Sequence, residues 1–296
     1  MNYMKAWWHK NWVGYFFLTP WLLGILAFTA IPMGASLYLS FTKYDMFTAP
    51  EWIGLKNYLS MFKDQKWQSS VLVTLKYVFL GVPLQLTFAL SVALLLKRGI
   101  RGVGVYRAMY YVPSLFGGSV AVAILWRQIF GGDGLVNNLL GSIGIKGLNW
   151  ISNPDTAIYT LIILMIWQFG SSMVIFLAGL KQVPIELYES STIDGAGPVK
   201  QFFTITLPLI TPVVFFNLVM GIIGAFQAFT SAYIVSGGSG GPLDSTLFYT
   251  LYLYQKGFTH FQMGFASAMA WFLLVVIAFV TALVFVSSKK WVYYQE

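Results

Sequence analysis

The sequence predicts an all-α, polytopic membrane protein with six transmembrane helices and both termini in the cytoplasm. Three observations support this fold class: a composition that is 57% hydrophobic and only 9% charged, six long apolar runs, and basic residues clustered between those runs. An ordinary soluble domain carries about 25% charged residues. The mean hydropathy of +0.70 indicates that lipid, rather than water, is the solvent for most of the surface.

Six segments are long and apolar enough to cross a bilayer. About 20 residues are needed for a helical span, because every backbone polar group must be satisfied internally in hydrocarbon. The first run is too long for a signal-peptide core and lacks a small-residue cleavage site after it, so a retained helix is expected. The predicted spans are Gly14–Ser36, Ser70–Leu96, Arg107–Phe130, Ala157–Leu180, Leu207–Ile234 and Met263–Val286.

The basic residues predict the orientation, since cytoplasmic loops carry an excess of Lys and Arg. The net charge of +8 is explained by this bias rather than by nucleic-acid binding. Residues assigned to the cytoplasm are Lys5, Lys10, Lys97, Arg98, Arg101, Arg107, Lys181, Lys200, Lys289 and Lys290. Those assigned to the outside are Lys43, Lys56, Lys63, Lys66, Arg127, Lys146 and Lys256.

The chain divides into three parts on this topology. Residues 1–67 hold the N-terminal tail, the first span and an outer segment, Tyr44 to Trp67, that is typical of a short amphipathic piece at the interface. Residues 68–288 hold the other five spans and a cytoplasmic loop at 181–207, and residues 289–296 form a cytoplasmic tail. Nothing in the pattern indicates a separate soluble domain.

The cytoplasmic loop between spans four and five contains the start and stop signals of two short helices. Pro184 suits a first helical position, and the acidic residues Glu186 and Glu189 follow it. Gly195 and Gly197 are expected to end this helix, and Pro198 can start the next. The small residues Ser190, Ser191 and Ala196 would allow another protein surface to approach closely.

The spacing in this loop resembles a family signature. Glu189-Ser190-Ser191, then Gly195 after three residues, Ile205 after nine more, and Leu207-Pro208 are similar to the EAA signature of permease subunits of bacterial ABC importers. The departure is a pair of serines where the family usually has two alanines, a small-for-small change.

The resemblance extends over nearly the whole chain. Trp52 to Tyr58, Tyr111-Val112-Pro113 and Gly134 to Asn137 look like the maltose-type carbohydrate permeases, and their order is closer to the first permease of such pairs. It implies a type I ABC importer permease fold with residues 68–288 as the core. It also implies that the loop is a coupling helix seated on an ATPase. The coupling residues expected on this basis are Glu186, Glu189, Ser190, Ser191, Asp194, Gly195, Ala196 and Pro198.

The resemblance implies the partners as well. They are a second homologous permease, two ATP-binding cassette subunits and an external solute-binding protein, in the cytoplasmic membrane of a prokaryote. No cofactor is expected on this chain, because it lacks a glycine-rich phosphate loop followed by Lys and Ser or Thr; ATP and magnesium would be held by the partner ATPase.

The sequence offers no case for an enzyme active site or a metal centre. His9 and His260 are isolated, without a carboxylate or a second ligand at useful spacing, and there is no cysteine. A membrane-embedded enzyme would need convergent catalytic groups. An ion-coupled secondary transporter, the other rival class, would need buried carboxylates, yet every acidic residue falls in a loop or tail.

Polar residues inside the spans are candidates for a substrate path, since each is costly in lipid unless it packs inside the bundle. They are Lys76, Gln85, Arg127, Gln168, Asn217 and Gln227, of which Lys76 and Arg127 lie near helix ends and can snorkel. In maltose-type relatives spans four and five line the central site. The positions that align with lining residues are Trp167, Gln168, Ser171, Gly221, Gly224 and Ala225, and Phe226 and Gln227 follow.

Two alternatives stay open at this point. Helix packing through small residues explains Gly221 and Gly224 equally well. The expected cargo is a carbohydrate, from monosaccharide to oligosaccharide, and a polyol phosphate such as glycerol 3-phosphate is the second choice because related permeases handle it.

Overall fold

The structure is a computed structural model that describes residues 2–97, 99 and 101–293, with side chains from residue 12 onward. Arg98 lies outside the described residues, as do the side chains of Lys5, His9 and Lys10. The elements of the first half are α1 (Asn2–Ile25), a π-helical turn (Leu26–Ala30), α2 (Ile31–Ser40), β1 (Thr42–Lys43), β2 (Glu51–Trp52), α3 (Lys56–Lys63), α4 (Gln65–Lys97), α5 (Val103–Leu115), α6 (Val120–Ile129) and α7 (Leu135–Ser142).

The second half is also helical. Its elements are α8 (Ala157–Trp167), α9 (Gly170–Gln182), α10 (Ile185–Ile193), α11 (Pro198–Gln201), a π-helical turn (Phe202–Thr206), α12 (Leu207–Leu209), α13 (Thr211–Phe226), α14 (Thr230–Val235), a 3₁₀ turn (Pro242–Asp244), α15 (Tyr249–Tyr254), a π-helical turn (Gln255–Thr259) and α16 (Met263–Ser288).

Within the described residues, three helices are long and apolar enough to cross a membrane without a break: Trp12–Ser40, Gln65–Lys97 and Met263–Ser288. Three further pairs meet the same test only together, so the number of spans is three, or up to six if each bent pair is one span. The bent pairs are Val103–Leu115 with Val120–Ile129 (98°), Ala157–Trp167 with Gly170–Gln182 (44°), and Pro198–Leu209 with Thr211–Phe226 (66°).

The helix breaks follow from local sequence. Pro113 precedes Gly117 and Gly118, and Ser119 caps α6 by accepting a hydrogen bond from the Ala121 N–H, so the chain stops and restarts within the expected third span. The segment Arg107–Phe130 is therefore two helices rather than one uninterrupted helix. Spans four and five depart from straight helices in the same way, at Gln168 and at Ile210.

Two compact units can be distinguished: Met1–Lys63 with Tyr254–Leu273, and Asp64–Leu253 with Leu274–Glu296. In the first unit, β1 and β2 form a two-stranded antiparallel ribbon that pairs Thr42 with Trp52. The Asn57 side chain on α3 donates hydrogen bonds to the carbonyls of Ser40 and Thr42, both at 2.9 Å. The predicted outer amphipathic piece is thus a short ribbon followed by α3.

The second unit is built around α4, which packs most extensively against α9, α13 and α8. Small residues allow these helices to approach: Ala89 and Ala93 on α4 are fully buried, and a Cβ at Gly179 would lie 2.7 Å from Val213. Gly170 sits so close to α5 that a Cβ there would collide with the Tyr110 carbonyl oxygen. Close packing through small residues is how helices associate in lipid, where burial of apolar surface offers no driving force.

Candidate functional site

A cavity of about 360 Å³ lies where three helix breaks meet in the second unit. Gly117 and Gly118 come from the break between α5 and α6, and Gln168 ends α8. Gln227 to Ser231 come from the break between α13 and α14 and the first turn of α14. Irregular backbone at membrane depth is tolerated where it is buried in protein or lines a watery space.

Side chains from neighbouring helices satisfy the backbone at this cavity. Gln85 on α4 donates from Nε2 to the Met165 carbonyl at 2.9 Å, and the Ser114 hydroxyl donates to the Gln168 carbonyl at 3.1 Å. The Gln168 side chain donates from Nε2 to the Gly117 carbonyl at 3.0 Å. An unsatisfied carbonyl in hydrocarbon costs several kcal/mol, so these bonds stabilise the breaks.

The structure separates the eight residues expected on the substrate path into two groups. Gln168, Gly221, Gly224, Ala225 and Gln227 line the cavity. The other three lie outside it. The Trp167 ring packs 5.8 Å from Trp126, Phe226 is only 2% exposed in the core, and the Ser171 N–H donates to Ser114 Oγ.

Further residues line the cavity besides those of the eight expected from the family resemblance. They are Tyr77, Gln85, Gly117, Gly118, Met165, Met220, Ala228, Phe229, Thr230 and Ser231. Gln85 had a signal, because it is a polar residue inside an apolar span. The glycine pair beside Pro113 was a signal for a break in span three. Phe229 to Ser231 had none, since Phe229 takes a non-helical conformation (φ −134°, ψ −59°) that periodicity does not reveal.

A second cavity, of about 590 Å³, is lined by the α6 end, the loops after α6 and before α8, and the segment after α14. Among the described residues, Arg127 is the one charged residue that lines it, and Asn149, Ser152, Ser236 and Ser239 supply amide and hydroxyl groups. Lys76, the other basic residue expected to snorkel, places its ammonium 4.6 Å from the centre of the Tyr159 ring. Both charges therefore have polar or aromatic surroundings.

The loop at 181–207 folds as two short helices, and the first of them ends just before Gly195. Helix α10 starts directly after Pro184 and no residue in it is buried. At its end Ala196 N–H donates to the Ser191 carbonyl (2.9 Å) and Gly195 N–H to the Thr192 carbonyl (3.0 Å), with φ of +76° at Gly195. This is a Schellman arrangement, which places glycine in the left-handed region. Pro198 is the first residue of α11, as expected.

The expected coupling residues occupy different parts of this loop. Glu186 lies in the first turn of α10, where a negative charge suits the helix N-terminus, and Glu189 and Ser190 are exposed. Asp194 caps the C-terminus. Ser191 is half-buried, and its hydroxyl accepts a hydrogen bond from Gln201 Nε2 at 3.0 Å. A serine at this position therefore has a partner that alanine would not have.

Comparison with known families identifies the class of protein. Residues 57–293 match the family described as the binding-protein-dependent transport system inner membrane component. The chain belongs to this family, and the prediction of an ABC-importer permease from the loop motif is confirmed.

Individual relatives agree with the family. The chain is 55% identical to the probable ABC transporter permease protein YesP of Bacillus subtilis, over 97% of this chain and 93% of that protein. It is 31% identical to the sn-glycerol-3-phosphate permease UgpA of Yersinia enterocolitica (96% and 97% covered) and 32% identical to the arabinooligosaccharide permease AraP of B. subtilis (90% and 85%).

A solved structure shares the fold. A chain of the bacterial alginate ABC transporter, in complex with a periplasmic protein that holds an alginate pentasaccharide, superimposes with a TM-score of 0.82 at 20% identity. The match covers 96% of both chains. The type I permease fold is thus confirmed, but the chain is mainly helical rather than all-α, because β1 and β2 form a short ribbon.

Proposed function

We propose that this chain is one of two homologous membrane subunits of an ATP-driven importer for a carbohydrate, with six spans and both termini in the cytoplasm. Two ATP-binding cassette subunits hold ATP and magnesium, and this chain binds neither. An external solute-binding protein delivers the sugar, and the chain resides in the cytoplasmic membrane of a prokaryote. Family membership supports the architecture, and the names of AraP and the alginate transporter support the cargo class.

The observation that carries the cargo proposal is the chemistry of the 360 Å³ cavity. Gln85, Gln168 and Gln227 bring amides to it, Thr230 and Ser231 bring hydroxyls, and Phe229 brings an aromatic ring. No lining residue in the described part of the chain is charged. Amides and hydroxyls match a sugar's hydroxyl groups, whereas a phosphate is ordinarily bound by Arg, Lys or backbone N–H groups.

Uptake into proteoliposomes tests this function. The chain is reconstituted with its partner subunits and binding protein, and ATP-dependent uptake of maltotriose, arabinotriose, an alginate trisaccharide and sn-glycerol 3-phosphate is compared. We expect uptake of a saccharide that requires internal ATP. Faster uptake of glycerol 3-phosphate than of every saccharide would overturn the cargo, and transport by this chain alone under an ion gradient would overturn the importer.

The loop at 181–207 is proposed as the element that contacts the ATPase, and Gly195 offers a test. A Cβ there would meet nothing within 4 Å among the described residues, so none of them excludes a side chain. The φ of +76° costs a residue such as valine about 1–2 kcal/mol, whereas asparagine tolerates it. If an ATPase surface covers Gly195, both Gly195→Asn and Gly195→Val abolish uptake while the protein stays in the membrane. Normal uptake by Gly195→Asn would show that only the backbone conformation matters.

A further inference from the structure

The Tyr188 side chain on α10 joins three elements on the expected cytoplasmic side. Its Oη lies 3.0 Å from Nζ of Lys97, which is in the last turn of the long helix α4. The same oxygen lies 2.8 Å from Oγ1 of Thr206, at the end of the π-helical turn that leads into span five. The Lys97 ammonium is also 4.4 Å from the centre of the Tyr188 ring.

The donors and acceptors of this group can be assigned. An ammonium has no acceptor, so Tyr188 Oη accepts from Lys97 and keeps its own proton to donate to Thr206. The Thr206 hydroxyl can then donate to the Gln201 carbonyl, 3.5 Å away. Thr206 is only 4% exposed, so its hydroxyl depends on these partners rather than on water.

Gln201 contacts the same face of α10 as Tyr188, because Ser191 and Thr192 lie three and four residues after it, and Gln201 Nε2 also donates to the Tyr188 carbonyl at 3.3 Å. Its Nε2 lies 2.9 Å from Thr192 Oγ1 and 3.0 Å from Ser191 Oγ, which are both on α10. We call the set Lys97, Tyr188, Thr206 and Gln201 the Tyr188 bracket. The remaining surface of α10 is open: the side chains of Ile185, Leu187 and Ile193 are 61%, 40% and 88% exposed.

We propose that Tyr188 is a positioning residue that fixes the orientation of α10 relative to α4 and the start of span five, so that a displacement of α10 moves both membrane helices. The inference rests on the proposed coupling role of the loop. The bracket joins one polar side chain of α10 to two spans that are far apart in sequence. A tyrosine that only stabilised the loop locally would need neither Lys97 nor Thr206.

Spin labelling tests the positional part without transport. The sequence contains no cysteine, so Ile193→Cys provides a single labelling site on the exposed end of α10 in the full chain in lipid nanodiscs. Loss of a hydrogen bond to a charged group changes an equilibrium about tenfold. We therefore expect Tyr188→Phe to raise the ratio of mobile to immobile label about tenfold, and Thr206→Val to raise it less.

The matched control is Tyr106→Phe, since Tyr106 is 43% exposed and its hydroxyl has no hydrogen bond among the described residues. It should leave the label unchanged. Should Tyr188→Phe fail to reach the membrane, Lys97→Met and Thr206→Val each remove one bond of the same bracket. An immobile label in all of these variants overturns the proposal.

Coupling is tested in the reconstituted complex, using the saccharide that the wild type imports fastest from the panel above. We expect Tyr188→Phe to retain ATP hydrolysis while the ATP hydrolysed per sugar imported rises about tenfold. The double variant with Lys97→Met should add little, because both changes remove one contact. An unchanged ratio overturns the coupling part of the inference. A wild-type complex that imports no saccharide contradicts the proposed function instead, and the label result then stands alone.

Discussion

Replacing Gly170 by alanine should destabilise the packing of span four on span three. A Cβ at this position would lie 2.6 Å from Ser114 Oγ and 2.7 Å from the Tyr111 Cα, and it would collide with the Tyr110 carbonyl oxygen. Two of these three atoms belong to the backbone, so no rotamer change can relieve the contact. Overpacking costs about 1–3 kcal/mol, and contact with rigid backbone places this site near the upper end.

The assay is thermal unfolding of the purified chain in detergent, followed by tryptophan fluorescence. A loss of about 3 kcal/mol lowers the midpoint by roughly 6–12 °C, on the scale of about 2–4 °C per kcal/mol for large domains. The matched control is Gly104→Ala on α5, where a Cβ would meet nothing within 4 Å in the part of the chain that the structure describes. It should be neutral or stabilising by up to about 1 kcal/mol, because alanine favours helix.

Replacing glycine by alanine should therefore lower the thermal midpoint at Gly170 and leave it unchanged or raise it at Gly104. Adding Ser114→Ala to Gly170→Ala should not restore the wild-type midpoint, because the contacts with Tyr110 and Tyr111 remain and the hydrogen bond from Ser114 to the Gln168 carbonyl is lost. Equal midpoints for Gly170→Ala and the wild type would refute the close approach of α9 to α5.

Two further predictions concern single hydrogen-bonding groups. Trp126→Phe removes the indole N–H that donates to the Thr160 carbonyl at 2.8 Å, and should destabilise the protein by about 1–3 kcal/mol. The control Trp21→Phe, at a 62% exposed site, should not destabilise it. Equal thermal midpoints for the two variants would contradict this prediction. At Asp45, the Thr48 N–H and hydroxyl and the Phe47 N–H hold the carboxyl pKa below its ordinary value of 3.8. The turn that follows Asp45 is thus stabilised at pH values above 3.8 and loses this contribution as pH falls through the lowered pKa; an NMR titration midpoint at or above 3.8 would contradict it.

The parts of the fold that hydropathy alone determines could be predicted from the sequence. The expected first, second and sixth spans are each a continuous helix, with a π-helical turn at Leu26–Ala30 in the first, because each is a continuous apolar run without a helix-breaking pair inside it. The two short helices of the loop at 181–207 could also be predicted, since Pro184, Gly195 and Pro198 impose local backbone conformations that do not depend on tertiary contacts.

The broken spans and the cavity could not be predicted in full, for a geometric reason. A periodic pattern tells which residues share a face of a straight helix, but a bend changes the face on either side of it. In the expected fourth span, helix α8 ends at Gln168. Trp167 therefore turns toward Trp126, although its neighbour Gln168 lines the cavity. Phe226 and Gln227 differ likewise, because α13 ends between them.

The order of residues along the chain has a consequence for how the broken fourth span enters the membrane during synthesis. The Gln168 carbonyl at its break accepts hydrogen bonds from Ser114 and, at 3.4 Å, from Gln85. Both donors precede Gln168 in the sequence, so the ribosome has already delivered them when the break emerges. The Gln168 carbonyl therefore never needs to wait for either of these donors to be made, and an N-terminal fragment that includes Gln182 carries both of them.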